Sequence, residues 1–258
     1  MTVTDNHQQD RLRPLALLAL GRTGADIERL VREVRRKARR LGRSISWADL
    51  DAAMREGHTT MSADLRKRAA IHEAGHALVY TVTGVAEVQS ASIGLHGIGM
   101  VTTIANTALP QTERLLMNTI AGSLAGRVAE ILVFGEAVAG AGGSDESDLA
   151  RATAVAMAAE TSLGFSGHQP LVYRSITIGT HDLTLDRQLS DRVNRRLEEA
   201  ENMARAIVEE NRSALAELAA SLEAVGILSG NDIRQIVRQI GGFATNPGAA
   251  SELRKSDS

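Results

Sequence analysis

Apolar residues recur at intervals of three and four along most of the chain, the pattern of helices that bury one face. After the capping-box start Thr23-Gly24-Ala25-Asp26, the positions Ile27, Leu30, Val31, Val34, Ala38 and Leu41 predict one helix. Ser46-Trp47-Ala48-Asp49 opens a short second one through Met54 to Arg55. Beyond the break at 57–60, Ser62 can cap a helix that runs to Thr83 and stops at Gly84. Further helices are predicted from Gln111 to Phe134, from Ala150 to Leu163, from Leu189 onward, from Ser213 to Ala224, and from the start signal Ser229-Gly230-Asn231-Asp232. Residues 85–106 break the rhythm, with short alternating pieces cut by Gly94, Gly97 and Gly99, and predict two or three short strands. The expected fold is therefore mainly α: a helical domain with a small β ribbon, preceded by a short helical appendage.

Composition agrees, since a 2% aromatic share favours packed helices over sheets. A net charge of -2 provides no global field toward nucleic acid or anionic lipid, so no nucleic-acid partner is expected. The first helix does carry a basic face from Arg29 to Arg40, which either is solvated or meets an acidic partner surface. With no cysteine, any metal must be held by His and carboxylates. The early apolar run Pro14 to Leu20 is too short to cross a bilayer, and Arg114, Arg127 and Glu130 interrupt the apolar helix that follows Pro110. No membrane span and a soluble, cytoplasmic protein are expected. Residues 1–20 read as a mobile tail and 241–258 as a disordered one. His96 reads as a turn residue of the ribbon.

Chemistry concentrates in Ile71-His72-Glu73-Ala74-Gly75-His76-Ala77. Residues four apart share a helix face, so His72 and His76 can hold one metal ion while Glu73 stands beside it as a general base. Gly75 between them lacks a side chain, which lets a neighbouring element approach closely. A catalytic zinc site needs a third protein ligand. The longer H-E-x-x-H-x-x-G-x-x-H pattern is excluded, because positions 79 and 82 are both Val. Spacing leaves Glu113, Asp145, Glu146 and Asp148 open as ligands. Glu130 can orient a His or simply pair with an Arg.

These residues resemble the peptidase domain of the FtsH family of membrane-anchored, ATP-dependent zinc proteases over most of residues 20–240. The similarity rests on His72-Glu73-Ala74-Gly75-His76-Ala77, Gly126-Arg127-Val128-Ala129-Glu130 with Phe134-Gly135, Ser147-Asp148-Leu149-Ala150-Arg151-Ala152-Thr153, and Gly230-Asn231-Asp232-Ile233. The resemblance implies Zn2+ held by His72, His76 and Asp148, with Asp145 as the fallback, and Glu73 as the catalytic base. It also implies that 21–57 are helices like those of an AAA lid and that 62–240 are the zinc peptidase. No G-x-x-x-x-G-K-[ST] loop occurs in the chain, so it is not expected to bind or hydrolyse ATP by itself. Flexible or unfolded polypeptides are the expected substrates, with a homo-oligomer or an AAA ATPase as possible partners. The alternative is a weakly active, peptidase-like interaction module.

Overall fold

The computed structural model describes residues 22–56, 61–94, 98–175 and 185–240, together with positions 12, 15, 16, 18, 19 and 183. Most of the two expected tails, the break at 57–60 and the turn with His96 lie outside the described residues. Of the few described positions among residues 1–20, Leu18 is buried.

Two helices come first. Thr23 and Ser46 each close a capping box, with Asp26 and Asp49, at the starts of α1 (Gly24–Arg40) and α2 (Trp47–Arg55). Arg43 grips Asp49 through two hydrogen bonds of 2.6 Å and fixes the turn between them. Val34 and Ala38 of α1 and Met54 of α2 are the buried apolar positions of this pair.

α3 (Ala63–Thr83) starts where the Ser62 hydroxyl accepts the Leu65 N–H and stops at Gly84, whose φ of 66° is open to glycine at little cost. From Ala69 to Val79 every residue except His72 is buried, so α3 is the central rod of the fold. It packs on β1 (Ala86–Ile93), α4 (Glu113–Phe134) and α7 (Arg212–Val225). The α3–α4 approach is very close. A Cβ on Gly75 would stand 2.6 Å from the Ala125 carbonyl oxygen and 2.7 Å from the Ala129 methyl, so any side chain there would force the two helices apart. The close approach expected of Gly75 is thus made by α4.

β2 (Gly99–Ala105) pairs antiparallel with β1, Ala91 facing Val101 and Ile93 facing Gly99, with an irregularity between Val88 and Ser90. The other edge of β1 takes a third strand from far along the chain, β3 (Ile227–Ser229), which sequence pattern had folded into the approach to the last helix. The sheet order β2-β1-β3 leaves β2 at an edge. α5 (Asp148–Thr161), α6 (Arg187–Glu210) and α8 (Gly230–Ile240) complete the body.

α4 is long and apolar enough to cross a membrane, the only such helix among the described residues, and 61% of its apolar window is buried by its neighbours. A buried ion cluster ties its start to α5 and α6. Arg196 reaches Glu113 at 2.7 Å and Glu160 at 2.8 Å, and Glu160 also takes Arg192 at 3.1 Å and the Ser166 hydroxyl at 3.0 Å. Each buried charge has a counter-charge and hydrogen bonds, the condition under which burial is tolerated.

Candidate metal centre

His72 and His76 face one cleft from α3, and α4 fixes both rings from behind. Nδ1 of His72 lies 2.6 Å from Glu130 Oε1, and Nδ1 of His76 lies 2.8 Å from the Gly122 carbonyl oxygen. Both partners only accept, so each Nδ1 carries a proton and each Nε2 faces the other way, where it can take a proton or a cation. The two Nε2 atoms stand 3.1 Å apart, each 3.2 Å from Oδ2 of Asp148 at the start of α5. Three electron-rich atoms at that separation repel unless a proton or a cation sits among them. Ligands about 2.0–2.1 Å from a tetrahedral zinc stand roughly 3.3 Å apart, close to the triangle seen here.

The space for such an ion comes from a missing side chain. A Cβ on Gly126 would lie 2.5 Å from Nε2 of His76 and 2.6 Å from Nε2 of His72. Glycine at that position of α4 keeps the centre of the triangle open.

The electrostatics also favour positive charge. Burial opposes a charged imidazole at His72, but Asp148 and Glu130 outweigh it and raise its pKa to about 10. Burial likewise works against the Asp148 carboxylate, yet hydrogen bonds from His72 and His76 hold it well below the usual carboxylate range. Glu130 is 1% exposed, and its second oxygen accepts the Val138 N–H at 2.7 Å, so one carboxylate joins the His72 ring to the chain leading toward Asp148.

Glu73 lies beside the triangle and is buried. Loss of water pushes its carboxyl up, against the pull of His76 and His72. Gly99 at the start of β2 covers it so closely that a Cβ would stand 2.4 Å from Glu73 Oε1. The cleft of about 500 Å³ is lined by these groups together with Tyr80, Met100, Val138 and Arg151. The Tyr80 ring stacks near that of His76, at 6.4 Å between centroids and 21° between planes.

Of the acids left open by spacing, Asp148 alone joins the two His, and these three form the only metal-competent group among the described residues. Glu113 is bound to Arg196, and Asp145 and Glu146 are exposed. Glu130 orients a His and, among the described residues, makes no ion pair with an Arg. Sequence reasoning missed Gly99, Gly122 and Gly126. Residues 121–126 are rich in small side chains, a pattern that allows close packing of backbones but does not say that the neighbour is a pair of imidazoles.

Residues 59–236 match peptidase family M41. The chain is 31% identical over 242 residues to the ATP-dependent zinc metalloprotease FtsH 1 of Sorangium cellulosum, covering 84% of this chain and 38% of that protein. It is 31% identical over 269 residues to the ATP-dependent zinc metalloprotease FtsH of Paraburkholderia phymatum, with 93% and 40% covered, and 31% identical over 254 residues to that of Methylococcus capsulatus, with 88% and 39% covered. The chain spans about two fifths of the length of these curated relatives.

Proposed function

The chain belongs to peptidase family M41, and we propose that it is a zinc metalloendopeptidase that hydrolyses flexible or unfolded polypeptides without using a nucleotide of its own. The observation that carries this reading is the convergence of His72 Nε2, His76 Nε2 and Asp148 Oδ2, with a buried Glu73 beside them.

His72, His76 and Asp148 would hold the ion, with Glu130 and the Gly122 carbonyl keeping each Nδ1 engaged so that each Nε2 is turned to it. Zinc bound there supplies a Lewis acid that polarises the scissile carbonyl and acidifies water. Glu73 takes the proton of the attacking water and passes it to the leaving amine, a task suited to a carboxylate whose basicity is raised by burial. The free edge of β2 adjoins the cleft, and an extended substrate adds there as a further strand, through backbone hydrogen bonds that read no particular side chain. Residues 22–56 form a lid-like appendage, and the peptidase body works in the cytoplasm, with the apolar α4 packed inside it rather than crossing a membrane. A homo-oligomer or an AAA ATPase is the partner that would feed it.

Purified protein should contain about one zinc per chain and cleave casein in the absence of ATP. Chelation should stop the reaction, and added zinc should restore it. Protein that takes up no zinc would end this reading.

Metal-free protein should also show a particular pH dependence. Its His72 has a pKa raised from 6.5 to about 10, so its contribution to stability is complete below pH 6.5 and is lost as pH rises toward 10. Thermal melts in chelator should therefore fall across that alkaline window. Zinc-loaded protein should hold its melting temperature there, because the ion replaces the proton.

A further inference from the structure

Charge is unevenly shared along this chain. Residues 61–240 carry 15 Arg and Lys against 21 Asp and Glu, whereas residues 28–43 carry eight against two. All eight of those basic residues are exposed. Among the described residues, only Arg43 has a close carboxylate partner, Asp49 at 2.6 Å, and Arg32 a distant one, Glu28 at 3.8 Å. Among the described residues, Arg29, Arg35, Arg36, Lys37, Arg39 and Arg40 have no ion pair. Self-repulsion of this density opposes the helix, so nothing within α1 accounts for it.

The arrangement is ordered. Arg29, Arg32, Arg36 and Arg39 follow steps of three and four residues, which sets them in one stripe over about 15 Å of helix. The stripe borders a concave surface of about 810 Å³ that shares no lining residue with the metal cleft and is also lined by Arg43, Ser44 and Glu33.

We propose that the Arg29–Arg32–Arg36–Arg39 stripe of α1 is a docking surface for an acidic helical segment of another polypeptide. A partner helix with acids at the same three-and-four spacing repeats every ~5 Å along its axis, which is the repeat of the stripe itself. Arginine suits the task because its planar fork binds carboxylates through two parallel hydrogen bonds. A membrane surface fits less well: Val34 and Ala38 are buried and Ile27, Leu30 and Val31 half-buried, so only Leu41 at the helix end is an exposed large apolar residue to insert. A nucleic acid also fits less well. Glu33 lines the same concavity and would face a phosphate backbone charged every ~1.7 Å, whereas a polypeptide can place a neutral or basic residue opposite it.

The test is direct binding to the full chain, a readout separate from peptidase activity. The probes are a labelled helical peptide with Glu at the three-and-four spacing, the same composition with the Glu positions shuffled, a DNA duplex, and phosphatidylserine vesicles. The striped peptide should bind most tightly and weaken as salt is raised. The Arg36→Glu/Arg39→Glu protein should bind it at least about tenfold more weakly, and Arg36→Gln/Arg39→Gln should fall between. Unchanged affinity in the charge-reversed protein, equal binding of the shuffled peptide, or tighter binding of DNA or vesicles would overturn the proposal. So would displacement of the peptide by a second copy of the chain at rising protein concentration.

Discussion

Replacing Glu73 by Gln should leave the zinc content unchanged while lowering casein cleavage by about 10²- to 10⁴-fold, the range that a well-placed general base contributes. Glu73 donates no atom to the His72–His76–Asp148 triangle, so its charge is not needed to hold the ion. Gln keeps its volume, which matters because the side chain is 7% exposed and lies against Gly99 with no slack. Burial of an uncharged amide is also easier than burial of the carboxylate, so the variant should melt no lower than the parent. Zinc analysis, a melting curve and a cleavage assay on one preparation decide the matter. Retained zinc with undiminished cleavage would remove Glu73 from the chemistry.

Gly126→Ala should give the converse result, a folded protein without metal. Alanine favours an α-helix over glycine by about 1 kcal/mol, so α4 has no intrinsic objection to the change. The new methyl carbon, however, would stand 2.5–2.6 Å from both imidazole Nε2 atoms, in the space an ion needs. Neither ring can easily retreat, since Glu130 holds one at 2.6 Å and the Gly122 carbonyl the other at 2.8 Å. Zinc content should fall well below half an equivalent, and cleavage should fall with it, while circular dichroism keeps its helical signal. Full zinc occupancy in this variant would show that the rings move further than this packing allows.

Most of the helical architecture was legible because it is local. Caps at Thr23, Ser46 and Ser62 and the stop at Gly84 are decided within a few residues, and each is formed as the sequence suggests. β3 was not legible. Three residues carry too little pattern to announce a strand, and Ile227–Ser229 becomes one only because β1, over 130 positions earlier, presents an open edge. The candidate site divides in the same way. His72, Glu73 and His76 declare themselves by helical spacing, while Asp148 could be singled out only by family resemblance, because capping alone would place acids at the start of α5. Gly75 could be read as a point of close approach, but Gly99 and Gly126 could not be assigned to the site. What Gly99 and Gly126 do depends on which side chain stands opposite them, and that is settled only by the packing of β2 and α4 against α3.

The distance along the chain between the donors has a consequence for when the metal triangle can form. His72 and Asp148 are 76 residues apart, so a chain emerging during synthesis has both imidazoles well before the carboxylate that completes the triangle. Even a finished chain has two donors of three until α5 has docked against α4 and α6, a step secured by the Glu160–Arg196 ion cluster at the far end of α5. Completion of the metal triangle is thereby linked to completed folding, and a half-folded copy has at most two of its three donors in place.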